Sequence, residues 1–401
     1  MRKPKVAIVR GPGLSKWEMQ IYEPLDKWFN LTGFGATDHA NDARDITFPL
    51  KHLPLKFKFF QKFPQFTQLM NTYFGDTQWL GDFDGCVRGY DLLHTVELRN
   101  GYTLQAVRAK RRGLVKRVTA TIYENIPFVG DEYPRRAKIK HEVIAYIDHF
   151  LAANEAARQC LLVEGVKEEK ITIVPQSVDI NGFAPDSSKR FVGLRPKKLR
   201  EKYGFSANDF VVLATGRMVW EKGWYDIVRS AYVISNIKYR ISKRKKIRFL
   251  LVGDGPELKN LKRMVNALGL DNVVTFTGNI AYRVMPDTFR AADIFVLASL
   301  PTRVWNEQFG GVLIEAMATG LPIVGTLNGG IEETVGETGG LFVPPQDFFQ
   351  LNQAIIKLYN NPMLRLRMGE SNRAKVKKQY DNHIVAENIK NIWLSVLAVL
   401  E

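Results

Sequence analysis

Residues 294–333, IFVLASLPTRVWNEQFGGVLIEAMATGLPIVGTLNGGIEE, decide the fold of this chain. An apolar strand over 294–299 leads into a polar loop, and a Phe-Gly-Gly turn then opens a short helix over 312–319. Gly320 ends that helix, and a second buried strand follows over 322–326. A strand–glycine–helix unit of this kind directs unpaired backbone N–H groups and the positive end of a helix above the sheet, which suits a phosphate.

Two carboxylates flank the position of that phosphate. Glu307 lies in the loop before the glycine turn, and Glu315 lies one turn inside the helix. Each carboxylate could accept hydrogen bonds from a pair of sugar hydroxyls. The stretch therefore predicts a site for a nucleotide sugar.

The length and composition predict a globular protein of two domains. The chain has 401 residues, more than one core usually supports, with 45% hydrophobic and 24% charged residues. No window approaches about 18 unbroken apolar residues, and the apolar run at 6–9 is too short for a signal peptide, so we expect a cytoplasmic protein. Two cysteines, Cys86 and Cys160, are too few for a disulfide framework or a Cys-rich zinc site.

The net charge of +16 reports on partners rather than on fold. Basic residues concentrate in three runs, at 108–117, 189–202 and 238–248. Nucleic acid, an anionic membrane surface and a phosphorylated substrate are all candidates on charge alone.

Strands alternate with helices along the chain, which predicts parallel sheets covered on both faces. In the first half, strands are predicted over 5–10, 91–96, 117–122, 150–153 and 171–175, and helices over 17–29 and 138–150. In the second half, strands are predicted over 210–215, 247–252, 273–277, 294–299, 322–326 and 340–343. We expect two doubly wound α/β domains over 1–183 and 184–380, facing each other across a cleft, and a C-terminal helix over 381–401 that packs back on the first domain.

Four motifs together resemble glycosyltransferase family 4, the retaining enzymes of glycosyl transferases group 1 with two Rossmann-like domains in the GT-B arrangement. These motifs are GRMVWEKG (216–223), GDGPELKNL (253–261), EQFGGVLIEAMATGLPIV (307–324) and NGGIEETV (328–335). Each is weak alone, but all four in this order are specific, and the resemblance covers nearly the whole chain.

The resemblance implies roles for four charged residues. Arg217 and Lys222 match the basic pair that holds the donor diphosphate, where fixed cations stabilise the charge that develops on the leaving group. Glu315 matches the carboxylate that binds the ribose diol, and Glu307 matches the residue that contacts hydroxyls of the transferred sugar. A solvated loop pair and a helix carboxylate favoured by the macrodipole are the plain structural alternatives.

The resemblance also implies binding through the backbone. The donor sugar and phosphates would meet N–H groups around Phe309, Gly310, Gly311, Val312 and Leu313. Gly13 corresponds to a first-domain glycine loop that approaches the β-phosphate. The base would lie near Gly278, Asn279 and Ile280, so UDP- and GDP-linked donors both remain possible.

One position departs from the family. Many relatives carry a histidine at the end of the strand that here reads ATIYENIP, where this chain has Glu124. Glu124 could stabilise a sugar cation or orient the acceptor hydroxyl as a general base, and a purely structural role has equal weight. The scheme needs no metal or other cofactor, and we interpret Asp82-Phe83-Asp84 as a chance match to the Asp-x-Asp metal motif.

The acceptor is expected on the first domain, where His94, Glu97 and Tyr102 follow a strand and could line the acceptor site. His94 could equally be a satisfied core or cap residue. The alternating Lys/Phe run at 56–66 is typical of an interfacial membrane contact, and also of a half-buried edge strand. A sugar, lipid-linked or phospholipid acceptor is therefore predicted, with the protein peripheral on an anionic membrane surface.

The sequence thus favours retaining transfer of a hexosyl group from a nucleoside-diphosphate sugar to an acceptor hydroxyl, by a monomer or homodimer. A sugar phosphorylase or a nucleotide-sugar epimerase could use the same two-domain architecture. A non-catalytic sugar-binding relative is a further alternative. A nucleic-acid-binding protein is disfavoured because the basic runs lack interleaved stacking aromatics beyond Tyr239 and no nucleic-acid-reading motif appears.

Overall fold

Parallel strands form two sheets, one in each of two compact units. The computed structural model describes residues 2–37, 45–56, 76, 78–185, 197–236 and 246–398. Unit 1 joins Met1–Gln176 to Asn382–Glu401, and unit 2 is Ser177–Asp381. The predicted class, two Rossmann-like domains with doubly wound parallel sheets, is confirmed.

The sheet of unit 1 has the strand order β3-β2-β1-β4-β5-β6-β7. Its strands are β1 (Lys5–Gly11), β2 (Asn30–Ala36), β3 (Leu50–Leu53), β4 (Leu92–Val96), β5 (Arg117–Ile122), β6 (His149–Ala152) and β7 (Ile171–Ile173). The sheet of unit 2 has the order β10-β9-β8-β11-β12-β13. Its strands are β8 (Phe210–Thr215), β9 (Ile247–Val252), β10 (Val274–Gly278), β11 (Ile294–Leu297), β12 (Ile323–Thr326) and β13 (Gly340–Val343).

Helices cover these sheets. In chain order they are α1 (Lys16–Met19), α2 (Phe83–Val87), α3 (Gly101–Arg111), α4 (Pro134–Tyr146), α5 (Glu155–Val163), α6 (Lys197–Glu201), α7 (Trp224–Asn236), α8 (Leu258–Ala267), α9 (Met285–Ala291), α10 (Gly311–Ala318), α11 (Ile331–Val335), α12 (Phe348–Asn360), α13 (Pro362–Gln379) and α14 (Asn382–Ala398). Central strands such as β4 and β8 are buried along their whole length. β8 is apolar except for Thr215 at its end, as expected for a strand covered on both faces, whereas β4 also buries the polar residues His94 and Thr95.

The C-terminal helix α14 belongs to unit 1, as predicted. Trp393 is fully buried and stacks on Tyr22 at a centroid distance of 5.9 Å. Phe29 meets the same indole edge-on at 5.4 Å. The Arg117 Nε–H donates to the Val396 carbonyl at 3.1 Å, which ties the end of α14 to β5.

Two features of the first domain differ from the prediction. The single helix expected over 17–29 is wrong: α1 ends at Met19, and a separate 3-10 turn covers Glu23–Lys27. Pro24 is the second residue of that turn and lacks the backbone donor that a continuous helix would need. Strands β2 and β3 were not predicted, because the sequence NLTGFGA of β2 has the glycines that weaken a strand pattern.

The strand order reverses once in each sheet, and ligands of open α/β sheets bind at such a point, outside the carboxyl ends of the strands. In unit 1 the reversal lies between β1 and β4, and in unit 2 between β8 and β11. The loops that follow these four strands are therefore where a site is expected.

The basic run at 108–117 is largely paired within the chain. Arg108 and Arg111 both bind Glu142, at 2.9 and 2.8 Å. Lys110 pairs with Asp148 at 2.8 Å. The Lys/Phe run lies outside the described residues after Lys56, as do parts of the other two basic runs. No helix within the described ranges is both long and apolar enough to cross a membrane.

Candidate functional site

Backbone hydrogen bonds join the loops at the carboxyl edge of the unit 2 sheet. The Met218 N–H donates to the Asp254 carbonyl at 2.7 Å, which links the loops after β8 and β9. The Gly253 N–H donates to the Gly278 carbonyl at 2.9 Å, which links the loop after β9 to the last residue of β10. The first two glycine motifs of the sequence therefore lie side by side and are joined by backbone hydrogen bonds.

The loop after β8 also closes onto the loop after β11. Gly223 has φ +66, and a Cβ on it would lie 1.8 Å from the carbonyl oxygen of Ala298. Only glycine fits this approach. Because Gly223 follows Lys222 directly, the contact fixes where the lysine side chain starts.

Lys222 and Glu307 meet at this edge, although 85 residues separate them. The Lys222 ammonium lies 2.6 Å from Glu307 Oε2, and the Ser299 hydroxyl donates to the same oxygen at 2.6 Å. The indole of Trp305 lies 5.0 Å from the ammonium. The sequence thus identified two residues that contact each other, and it missed Ser299 and Trp305, which hold the pair.

Arg217 shares the loop with Lys222 but faces solvent. Its carbonyl accepts hydrogen bonds from the Trp224 indole N–H at 3.0 Å and from the Val219 N–H at 2.9 Å. Its guanidinium makes no ion pair with any described residue. The backbone of Arg217 is therefore fixed while its charge remains available for an anion.

Helix α10 begins at the same edge. Gly310 precedes it with φ +76, and its carbonyl accepts the Leu313 N–H at 2.7 Å. Of the predicted backbone donors, Leu313 is thus already bonded within the turn, while Gly311 and Val312 are partly exposed. Glu315 is only 2% exposed, on the inner side of the helix.

The side chain of Phe309 supports this turn. It is 3% exposed and packs edge-on against Tyr380 at 5.7 Å. Its carbonyl accepts the Thr334 hydroxyl at 2.9 Å. Directly after the end of β10, Asn279 is exposed and Ile280 is partly exposed.

Gly13 and Glu124, the remaining predicted site residues, belong to unit 1. The Gly13 N–H donates to the Arg10 carbonyl at 2.9 Å, which closes the turn after β1. Arg10 is 6% exposed and forms a buried ion pair with Glu18. No sequence pattern predicted this pair, because Arg10 follows an apolar run in a strand and Glu18 lies in a separate helix.

Glu124 is 6% exposed and pairs with Arg99, whose Nη2 lies 2.8 Å from Oε1. Burial raises the pKa of Glu124, while Arg99 acts in the opposite direction. Glu97 follows β4 at the reversal point of the sheet. Burial and the neighbouring charge of Glu124 raise the pKa of Glu97 to about 7.

His94 does not line the expected acceptor site. It is 1% exposed within β4, and its ring nitrogens lie 2.9 and 3.1 Å from the hydroxyl oxygens of Thr119 and Thr121. Burial and the charge of Arg10 lower the pKa of His94 to about 3. The imidazole is therefore a neutral core group.

The matched family covers the part of the chain that holds the unit 2 loops. Residues 196–375 match the model described as glycosyl transferases group 1. Mannosylfructose-phosphate synthase of Agrobacterium fabrum is 30% identical over 264 residues, which are 62% of this chain and 54% of that protein. A GDP-mannose-dependent monoacylated alpha-(1-6)-phosphatidylinositol monomannoside mannosyltransferase of Corynebacterium glutamicum is 30% identical over 227 residues, 55% of each chain. The chain spans about half the length of these curated relatives.

Solved structures share the fold over nearly the whole chain. HepE of Anabaena, crystallised in complex with UDP, has a TM-score of 0.74 at 18% identity, with 98% of this chain and 100% of that chain covered. Sucrose-phosphate synthase of Thermosynechococcus elongatus has a TM-score of 0.72 at 20% identity, with 99% and 100% covered. The motifs, the fold and the matched model agree, and residues 196–375 of the chain match the glycosyl transferases of group 1.

Proposed function

We propose that this protein transfers a hexosyl group from a UDP- or GDP-linked sugar to an acceptor hydroxyl, with retention at the anomeric carbon and without a metal ion. The observation that supports this most strongly is the contact of Lys222 with Glu307, in the loop that leads into the N-terminus of α10. It joins a cation suited to a diphosphate with a carboxylate suited to sugar hydroxyls.

The charges of unit 2 suggest how a donor binds. Arg217 has no ion-pair partner among the described residues, so its guanidinium is the first group to bind the diphosphate. Lys222 then shares its charge between the phosphates and Glu307, which leaves carboxylate lone pairs for hydroxyls of the sugar. Gly311 and Val312 are partly exposed residues, and their N–H groups add the positive end of α10. Glu315 binds the ribose diol after a small opening of its buried position.

These groups act on the leaving diphosphate. Its negative charge grows as the glycosidic bond breaks, so two cations and a helix terminus stabilise the transition state more than the ground state. In this scheme they supply the positive charge that a metal ion supplies elsewhere. Gly278, Asn279 and Ile280 contact the base of the donor.

Unit 1 supplies the acceptor site in this proposal. The acceptor is a sugar, a lipid-linked sugar or a phospholipid, and the Lys/Phe run at 56–66 holds the protein at an anionic membrane surface. The names of relatives support this range, since one is a mannosyltransferase that acts on a phosphatidylinositol monomannoside. The protein would then be cytoplasmic and peripheral, as a monomer or homodimer.

A panel of nucleotide sugars in a thermal-shift assay tests the proposal. A donor at about 100 times its dissociation constant adds about 2.7 kcal/mol to the free energy of unfolding. We expect a UDP- or GDP-sugar to raise the Tm, and Lys222→Ala to remove most of that shift. A Tm that responds to inorganic phosphate with a sugar, and to no nucleotide sugar, would instead identify a phosphorylase.

A further inference from the structure

Two carboxylates approach each other at the carboxyl ends of β4 and β5. Glu97 follows β4 directly, and Glu124 lies two residues beyond β5. The Tyr123 N–H donates to Glu97 Oε1 at 3.1 Å. The other oxygen of Glu97 is buried and has no hydrogen-bond partner in the part of the chain that the structure describes. A buried carboxyl oxygen without a partner is costly, and a hydrogen bond from a ligand hydroxyl would remove that cost.

One guanidinium accompanies this pair. Arg99 binds Glu124 at 2.8 Å and remains 32% exposed, so the pair opens toward solvent on its side. Because the pKa of Glu97 is raised to about 7, protonated and ionised forms of this carboxyl group coexist near neutral pH. Glu97 can therefore both donate to and accept from the hydroxyls of a ligand.

An aromatic ring stands on the loop that follows Glu124. Phe128 has φ +62 and is 53% exposed. Its N–H donates to Glu164 Oε1 at 2.6 Å, and the Lys140 ammonium lies 6.0 Å from the centre of its ring. Lys140 is 1% exposed and pairs with Asp131 at 3.0 Å and with Glu164. A buried ion network thus holds the loop so that the ring faces solvent instead of packing inward.

We propose that Glu97, Arg99, Glu124 and Phe128 form the acceptor subsite, and that the group they bind is an uncharged polyol ring, a sugar or a cyclitol. The inference rests on the proposed transferase function and names its acceptor class. An aromatic face covers the C–H side of such a ring, while carboxyl groups bind its hydroxyls. Two carboxyl groups beside one guanidinium also disfavour a phosphate at this point, so the phosphate of any phospholipid acceptor lies elsewhere on the chain.

The test measures binding of small polyols to the full chain. Myo-inositol and methyl α-D-glucopyranoside are titrated by calorimetry in the presence of saturating UDP or GDP, with inorganic phosphate as the charged probe. We expect at least one polyol to bind, and Phe128→Ala and Glu124→Gln each to weaken it tenfold or more. Phe128→Tyr retains the ring and should restore the affinity. Phe349→Ala removes a ring that is 60% exposed on unit 2 and should change nothing.

The affinity for UDP and GDP separates failure of this inference from failure of the proposed function. If the wild-type chain binds neither nucleotide, the proposed function itself is wrong. If UDP or GDP binds, and Phe128→Ala binds that nucleotide as tightly as the wild type does, the affinity for the polyol alone decides whether the subsite exists. The subsite would be overturned if no polyol binds, or if Phe128→Ala and the wild type bind the polyol with equal affinity. It would also be overturned if inorganic phosphate binds more tightly than the polyols and Glu124→Gln changes the affinity for phosphate.

Discussion

Substitution of Gly329 tests whether the NGG turn determines the position of Glu307. Gly329 has φ +54, and a Cβ placed on it would lie 2.0 Å from the Glu307 carbonyl oxygen. Real contacts of a Cβ do not fall below 3.0 Å, so the two segments must separate by about 1 Å in Gly329→Ala. That movement breaks the hydrogen bond of 2.9 Å from the Gly330 N–H to the same carbonyl.

The expected cost has two parts. A left-handed alanine costs about 1 kcal/mol and the lost hydrogen bond about 1 kcal/mol more, so the free energy of unfolding should fall by about 2 kcal/mol. A displacement of about 1 Å in a positioning group lowers the rate of transfer about 100-fold. Glu307 would be displaced in this way relative to Lys222 and Ser299.

Gly269→Ala is the matched control. Gly269 has φ +66, and no heavy atom lies within 4 Å of a Cβ placed on it, so only the left-handed backbone costs energy. The assays are urea unfolding and kcat/KM with the nucleotide sugar that raises the Tm most. If Gly329→Ala keeps its kcat/KM within twofold of Gly269→Ala, the turn does not position Glu307 and the reasoning is refuted.

Three further predictions concern single side chains. Glu307→Gln removes the charge that offsets Lys222, so calorimetry should show affinity for UDP or GDP raised on the order of tenfold while transfer falls; unchanged affinity for both nucleotides would contradict this. His94 binds a proton readily in the unfolded chain, but its lowered pKa disfavours the protonated form in the folded chain. The free energy of unfolding therefore decreases as the pH falls below the unfolded pKa of about 6.5. Between pH 7 and 5 the wild type should lose about 2 kcal/mol more in urea unfolding than His94→Gln, and equal losses would refute a neutral core imidazole. Trp393→Ala should lower the free energy of unfolding by about 3–5 kcal/mol because the indole is fully buried, and a loss below about 1 kcal/mol would mean that α14 is not docked.

The loops of unit 2 could be predicted from sequence because their glycines record close backbone approaches. Residue 223 must be glycine because the Ala298 carbonyl approaches it closely. Glycines with close contacts of this kind recur at fixed spacing in the motifs. The pairing of Lys222 with Glu307 could not be predicted, since a contact across 85 residues depends on how the loops close.

Unit 1 was less predictable, for two physical reasons. The glycines of β2 weaken its strand pattern, and Pro24 breaks a helix that the apolar spacing favoured. His94 also shows that a residue type carries no function by itself. The same imidazole that could serve a site is here enclosed by Thr119, Thr121 and Trp393.

The affinity for a nucleoside diphosphate shows whether Arg217 and Lys222 hold the donor. UDP and GDP are titrated by calorimetry into the wild type, the double variant Arg217→Ala/Lys222→Ala, and Arg263→Ala, which removes an exposed arginine from α8. If these two cations hold the diphosphate, the double variant binds on the order of 100-fold more weakly, about 2.7 kcal/mol, and Arg263→Ala binds as the wild type does. Equal affinity in the wild type and the double variant would contradict the account.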